Sequence, residues 1–264
     1  MTDPLAHRAQ FIAAAQAAAD VAACIVRPFF RAGVSADDKA DQSPVTIADR
    51  TAERAIRAVI GERLPHHGIM GEEFGTERPD AAYRWVIDPV DGTRAFLTGR
   101  PTFGTLIALL HEGVPVLGII DQPITGERWI GVRGEPTRYL SHFAGQAGTR
   151  LCPALDRAEL SCTSPEILEG AYRARWDVLS RAVKRVSWGG DCYAYGLLAL
   201  GQVDVIAECT MKPWDWAALV PVVEGAGGSM TDWAGQPLRL DGDGTVLALG
   251  NPALLPQACR LLAK

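Results

Sequence analysis

Residues 85–93 read Trp85-Val86-Ile87-Asp88-Pro89-Val90-Asp91-Gly92-Thr93, an apolar run that ends in two carboxylates and a Gly-Thr step. The run predicts a buried strand over Tyr83–Ile87. Pro89 and Gly92 predict a turn behind it, and Thr93-Arg94-Ala95-Phe96 predicts a helix start. Two acids are thereby set at a strand's end, on a stiff scaffold. Amides at Gly92 and Thr93, unpartnered at a helix start, would face outward as a phosphate cradle. Bare carboxylates repel a phosphate dianion, so the pattern makes chemical sense only with cations between them.

Other segments supply acids of the same kind. Gly71-Glu72-Glu73-Phe74-Gly75 places two in a glycine-flanked turn, and Lys212-Pro213-Trp214-Asp215-Trp216 places one near a helix start. Oxygen-only donors select hard cations, Mg²⁺ or Mn²⁺, over zinc. Glu72, Asp88, Asp91 and Asp215 gathered around two or three such ions would make a metal-assisted phosphoryl-transfer site. Each piece also has a plain structural reading. Glu72-Glu73 can be a solvated loop, Asp88 and Asp91 turn residues, Asp215 a helix cap, and Asp49 half of a capping box with Thr46. Their co-occurrence with the Gly-Thr turn favours chemistry.

Two look-alikes fall away. An aspartyl-phosphate phosphatase needs Asp-x-Asp-Gly-Thr after a strand, whereas Asp88 lies one residue farther from Asp91. Asp241-Gly242-Asp243-Gly244-Thr245 has that spacing but precedes its apolar strand, and reads as a tight turn. Gly225-Ala226-Gly227-Gly228 is not a dinucleotide fingerprint and follows a helix.

The rest of the chain frames these motifs. Helices are predicted over 5–31, where Pro28 kinks or ends the run, and from Thr46 as N-cap to Leu64-Pro65. Phe103–Leu110 and Val114–Ile120 read as a hairpin, with Trp129–Val132 and Thr137–Leu140 continuing the β-rich part. Beyond the polar stretch Ser141–Arg150, strands at 159–162, 185–188, 203–207 and 245–249 alternate with helices at 165–183, 191–199, 215–225 and 252–262. The expected organisation is an N-terminal α+β half, 1–141, carrying most of the acids, and a C-terminal α/β half, 142–264, carrying Asp215.

Composition excludes several classes. With 26 Lys+Arg against 31 Asp+Glu there is no basic excess, and no basic run appears, which disfavours a nucleic-acid surface. The apolar content, 48%, is too high for disorder. No apolar run is expected to span a membrane, since Phe103–Ile120 is broken at His111-Glu112-Gly113, and no secretory signal is visible; cytoplasm is the default compartment. The six cysteines make no C-x-x-C pair and read as small buried thiols in a reducing compartment.

Ser43-Pro44-Val45-Thr46 with Ala48-Asp49, then Gly71-Glu72-Glu73, Asp88–Thr93 and Trp214-Asp215, resemble in order and spacing the inositol monophosphatase superfamily over nearly the whole chain. Within it, Asp91–Ile107, Gly189-Gly190-Asp191-Cys192-Tyr193 and Lys212–Trp216 are most similar to the histidinol-phosphate phosphatase branch. The resemblance implies a layered αβαβα sandwich, Mg²⁺ (two or three ions, Mn²⁺ the alternative), a small phosphorylated metabolite as substrate, and a homodimer. It implies Glu72, Asp88 and the Val90 carbonyl as ligands of one ion, and Asp88, Asp91 and Asp215 as ligands of a second. Glu72 would also serve a weaker third ion. Thr93, held by Asp49, would orient the attacking water, with Gly92 and Thr93 amides on the phosphate. Lys39 would be a loop lysine near the metals and Glu73 a supporting acid. Asp191 and Glu208 would be substrate-side acids suited to an amine and an imidazole, although an N-cap and a solvated strand end account for them equally. Arg94 and Arg185 could touch phosphate or substrate, but surface ion pairs are the favoured reading. The expected activity is hydrolysis of L-histidinol phosphate by metal-activated water. The competing expectations are an inositol-1-phosphate, other sugar-phosphate or nucleotide 3′-phosphate phosphatase, and a non-catalytic metal-dependent binding protein.

Overall fold

The computed structural model describes residues 5–33, 35–38 and 44–263; Lys39 and Ser43 lie outside them. In chain order, α1 (Arg8–Val26) leads to an antiparallel pair, β1 (Asp37–Asp38) and β2 (Pro44–Val45), and to α2 (Ile47–Arg63). Next come β3 (Gly68–Gly71), β4 (Gly75–Glu77), β5 (Tyr83–Asp91), the short α3 (Thr93–Leu97), β6 (Gly104–His111), β7 (Val114–Gln122), β8 (Glu127–Val132) and β9 (Arg138–Leu140). Then follow β10 (Glu159–Cys162), α4 (Ala171–Ser180), β11 (Arg185–Trp188), α5 (Asp191–Leu198), β12 (Val205–Glu208), α6 (Pro213–Trp216), α7 (Leu219–Gly225), β13 (Ser229–Thr231), β14 (Val246–Leu249) and α8 (Leu255–Leu262).

A seven-stranded sheet has the order β4-β3-β5-β6-β7-β8-β9, and a five-stranded sheet the order β11-β10-β12-β14-β13. Alternation along the strands sorts their side chains into layers. Trp85, Ile87, Ile107, Leu109 and Ile119 face α1 and α2. Val86, Leu106, Ala108 and Ile120 face the other way, onto a layer of α5, α6 and α7 that also covers Ile206, Val246 and Ala248 of the second sheet. The far face of that sheet, with Leu160, Val205, Leu247 and Leu249, packs on α4 and α8. The result is the expected five-layered αβαβα sandwich. α7 lies so close to the first sheet that a Cβ at Gly118 would stand 2.0 Å from the Ala218 carbonyl oxygen.

Several elements differ from their prediction. The helix expected over 5–31 ends at Val26, because Pro28 turns its last residues into a 3₁₀ segment. The helix expected over 165–183 is shorter, since Gly170 at φ 54° breaks it before Ala171. That over 215–225 is two pieces, and β3, β4 and β13 are strands too short to show a period. The run Arg8–Phe29 is long and apolar enough to cross a membrane. Its alanines mask that length to the eye, and Phe11, Ala15, Ala18, Ala22 and Val26 are buried against α2 and the sheet, as in a core helix. Cys24 is exposed and Cys259 half-buried, so only four of the six thiols are interior.

Candidate active site

The strand predicted to stop at Ile87 continues to Asp91, and the expected turn is instead a bulge. Asp88 opposes Leu106 while Asp91 opposes Gly104, so β5 spends one more residue than β6 across this interval. The extra residue matters because acids three apart on a regular strand point to opposite faces. Here Asp88, Asp91 and Asp215 bring carboxylate oxygens within 4.8 Å of one another. Pro89, which cannot donate to a ladder, sits inside the bulge, where its carbonyl accepts a bond from Thr105 Oγ1 at 2.8 Å. Asp88 Oδ1 accepts from the Val90 amide at 3.0 Å, and Thr93 Oγ1 donates to the Val90 carbonyl at 3.1 Å.

Four segments converge on this point. Gly92, at φ +84°, opens α3 in the left-handed region that favours glycine. The turn between β3 and β4 carries Glu72, whose carboxyl is within hydrogen-bonding reach of Asp88. Asp215 is held by the Lys212 amide, which donates to its Oδ2 at 2.7 Å. Asp49 both completes a capping box with Thr46 and stands 3.5 Å from Thr93 Oγ1, so the structural and the functional reading describe one geometry.

The acids are packed at an electrostatic cost. Burial, and then the charges of Glu72, Asp91 and Asp215, push the Asp88 carboxyl well above its usual range. Burial with Asp191 and Asp215 does the same to Asp91, against a 2.6 Å bond from the Cys192 amide. Asp215 is pushed up to about 7, chiefly by burial. Among the described residues, none of Asp88, Asp91 and Asp215 forms an ion pair with a basic side chain. A cluster of hard oxygen donors, none of them ion-paired among the described residues, fits Mg²⁺ or a similar ion.

On the other side of Gly92 stands Asp191. A Cβ at Gly92 would lie 2.8 Å from Asp191 Cγ, so the carboxyl rests directly on the glycine turn. Its backbone is strained, at φ 43°, and it caps nothing in α5, which sets the N-cap reading aside. Burial, then Glu208, pushes it up to about 7, against Arg100 and Arg94. It borders a cleft of about 470 Å³, lined also by Arg94, Arg100, Thr163 and Trp188. Glu208 departs from its plain reading. It is buried, with Oε1 accepting from the Thr163 amide at 2.6 Å and Oε2 from Tyr195 Oη at 2.9 Å, so it backs the cleft wall and is no solvated strand end. Arg94 and Arg185 make the expected exposed pairs, with Glu166 and Glu159. Reading the chain alone missed the Cys192 amide, Tyr195 and Glu53; only the Asp49, Glu53, Arg57 row at four-residue spacing on α2 signalled one of them.

Fold and site define a phosphatase of the layered α/β type. The chain belongs to the inositol monophosphatase family, whose model matches residues 7–264. Members of this family are generally Mg²⁺-dependent. The chloroplastic bifunctional phosphatase IMPL2 of Arabidopsis thaliana is 46% identical over 90% of this chain and 69% of its own length. The histidinol-phosphatase of Mycobacterium tuberculosis is 39% identical over 75% of this chain and 78% of its own. The structure of an inositol monophosphatase from Zymomonas mobilis, 48% identical, superposes over the full length of both chains with a TM-score of 0.88.

Proposed function

We propose that this phosphatase hydrolyses L-histidinol phosphate with Mg²⁺. The observation that carries the reading is Asp191, a carboxyl seated against Gly92 and facing a cleft, where a substrate's amine or imidazolium would extend from a phosphate held at Gly92-Thr93. The histidinol-phosphatase name of a 39% identical relative supports it. Glu72, Asp88, Asp91, Asp215 and the Val90 carbonyl would hold the ions. Ions held there would supply charge to offset the crowded carboxylates and would lower the pKa of the attacking water. The residues then divide the work. Amides of Gly92 and Thr93 hold the non-bridging oxygens, where charge develops in the transition state. Thr93 Oγ1 donates to Val90 or Asp49 and keeps a lone pair to orient the attacking water. Glu72 accepts that water's proton, and as the ester P–O bond breaks the departing alkoxide takes a proton from solvent. Asp191 receives the substrate's cationic end, backed by Glu208. Glu73 supports the turn, and Lys39 keeps the loop role that the family resemblance gives it. The protein would act in the cytoplasm as a homodimer.

The test is phosphate release from histidinol phosphate beside inositol 1-phosphate, with Mg²⁺ and with EDTA. The reading predicts a higher kcat/KM for histidinol phosphate, abolished by EDTA. A preference for inositol 1-phosphate would replace the substrate, and hydrolysis in EDTA would remove the site.

A further inference from the structure

The turn that carries Glu72 is gripped from behind by a residue that the proposed chemistry does not use. Glu53 lies on α2, one helical turn beyond Asp49, and is 0% exposed. A buried carboxylate is costly unless it is paired and hydrogen-bonded. Glu53 meets both conditions. Its Oε1 accepts from Arg57 Nε at 2.8 Å and from the Phe74 amide at 3.2 Å, and its Oε2 accepts from the Glu73 amide at 2.8 Å. Arg57 extends the grip to the Gly75 carbonyl at 2.5 Å and to Glu77 Oε1 at 2.8 Å. On the near side of the turn, a Cβ at Gly71 would stand 2.0 Å from Glu53 Oε1, so the backbone closes directly onto the carboxylate. Glu72 is the one residue between these points, with its own amide tied to the Ile87 carbonyl at 3.2 Å, beside Asp88.

The grip has an electrostatic purpose. Glu72 faces Asp88, Asp215 and Asp49, each of which it repels when charged. A turn fastened less firmly would swing that carboxylate out toward water. We propose that Glu53, neutralised by Arg57, is the positioning residue that holds Glu72 in the acid cluster and so sets the affinity for the divalent ion there. The inference rests on the reading of the cluster as a divalent-cation site.

Isothermal titration of metal-free protein with Mg²⁺ tests it, on wild type, Glu53→Ala, Glu53→Gln and Arg57→Leu, with circular dichroism and Tm as the check on folding. Loss of an outer partner of a metal ligand costs about 10–100-fold in affinity, and Glu53→Ala should fall in that range. Glu53→Gln keeps an oxygen for the turn amides and should recover part of the loss, while Arg57→Leu should weaken binding in the same direction as Glu53→Ala. A folded Glu53→Ala with wild-type Mg²⁺ affinity overturns the proposal, because a merely structural pair lowers Tm and leaves the dissociation constant alone. Should that variant not fold, wild-type affinity in Arg57→Leu overturns it. Wild type that binds no Mg²⁺ overturns the cation-site reading itself, which separates the two failures.

Discussion

Asp88 shows the tension between stability and function at a single position. It is 2% exposed and surrounded by Glu72, Asp91 and Asp215, so its charge disfavours folding until cations arrive. Asp88→Asn should therefore raise the stability of the metal-free protein, by on the order of 1 kcal/mol, while turnover falls by about 10²–10³-fold or more. Calorimetry in EDTA and phosphate release in Mg²⁺ check the two halves, and near wild-type turnover would refute the site. Asp191→Asn separates substrate from metal. Its KM for histidinol phosphate should rise about tenfold, worth ~1.4 kcal/mol, with a smaller change for inositol 1-phosphate. An unchanged KM for histidinol phosphate would end that assignment.

Among the elements, α2 and the β3–β5 pair show how local chemistry positions the site. Thr46 caps α2 with its Oγ1 on the Ala48 amide at 3.1 Å, and that cap also orients Asp49. Thr46→Ala should cost about 1–2 kcal/mol, read by urea denaturation, and lower kcat as Asp49 loses its bracing. On the edge of the sheet, His67 accepts from Trp85 Nε1 at 3.2 Å and stacks on Tyr83. Burial, with His66 beside it, holds its imidazole down to about 4. The unfolded chain then binds the extra proton below about 6.5, so this contribution is complete above that pH and is lost as pH falls toward 4. The stability difference between wild type and His67→Gln should change by on the order of 1–2 kcal/mol across that window, the ring's partial exposure being allowed for. A pH-independent difference would contradict the assignment.

For the whole molecule, the acid cluster makes stability depend on pH, and would make it depend on any divalent ion bound there. Asp215 and Asp191 titrate near 7 in the folded chain, against about 3.8 unfolded. The metal-free fold therefore binds more protons than the unfolded chain between these values, and its stability falls as pH rises through 7. Mg²⁺ needs the deprotonated acids, so its stabilisation should grow with pH. At 100 times its dissociation constant it contributes ~2.7 kcal/mol, roughly 5–10 °C in Tm for a chain of this size. Scanning fluorimetry at pH 5.5 and pH 8, with Mg²⁺ and with EDTA, should show the larger shift at pH 8; equal shifts would mean that protons and metal do not compete.

The chain by itself determined which acids stand beside glycine turns and which layers form. A continuous apolar run such as 104–110, bounded by turn residues, reads as a buried strand, the Ala-rich face of 8–26 packs closely, and Asp88-Pro89-Val90-Asp91-Gly92-Thr93 places donors and a glycine turn within a few ångströms along one backbone. Tertiary structure decided the rest, because it depends on contacts between residues far apart in sequence. The bulge that turns Asp88 and Asp91 to the same side is set by the register of β5 on β6. Glu208 looked like a strand-end acid but is sealed in by Thr163 and Tyr195, which lie 45 and 13 residues away. Glu53 passed as one more helix charge until the β3–β4 turn closed on it from 20 residues downstream. Side-chain type and period are properties of a segment; burial and hydrogen-bond partnership belong to the packed chain, and here they separate the acids that face the cleft from those that hold it in shape.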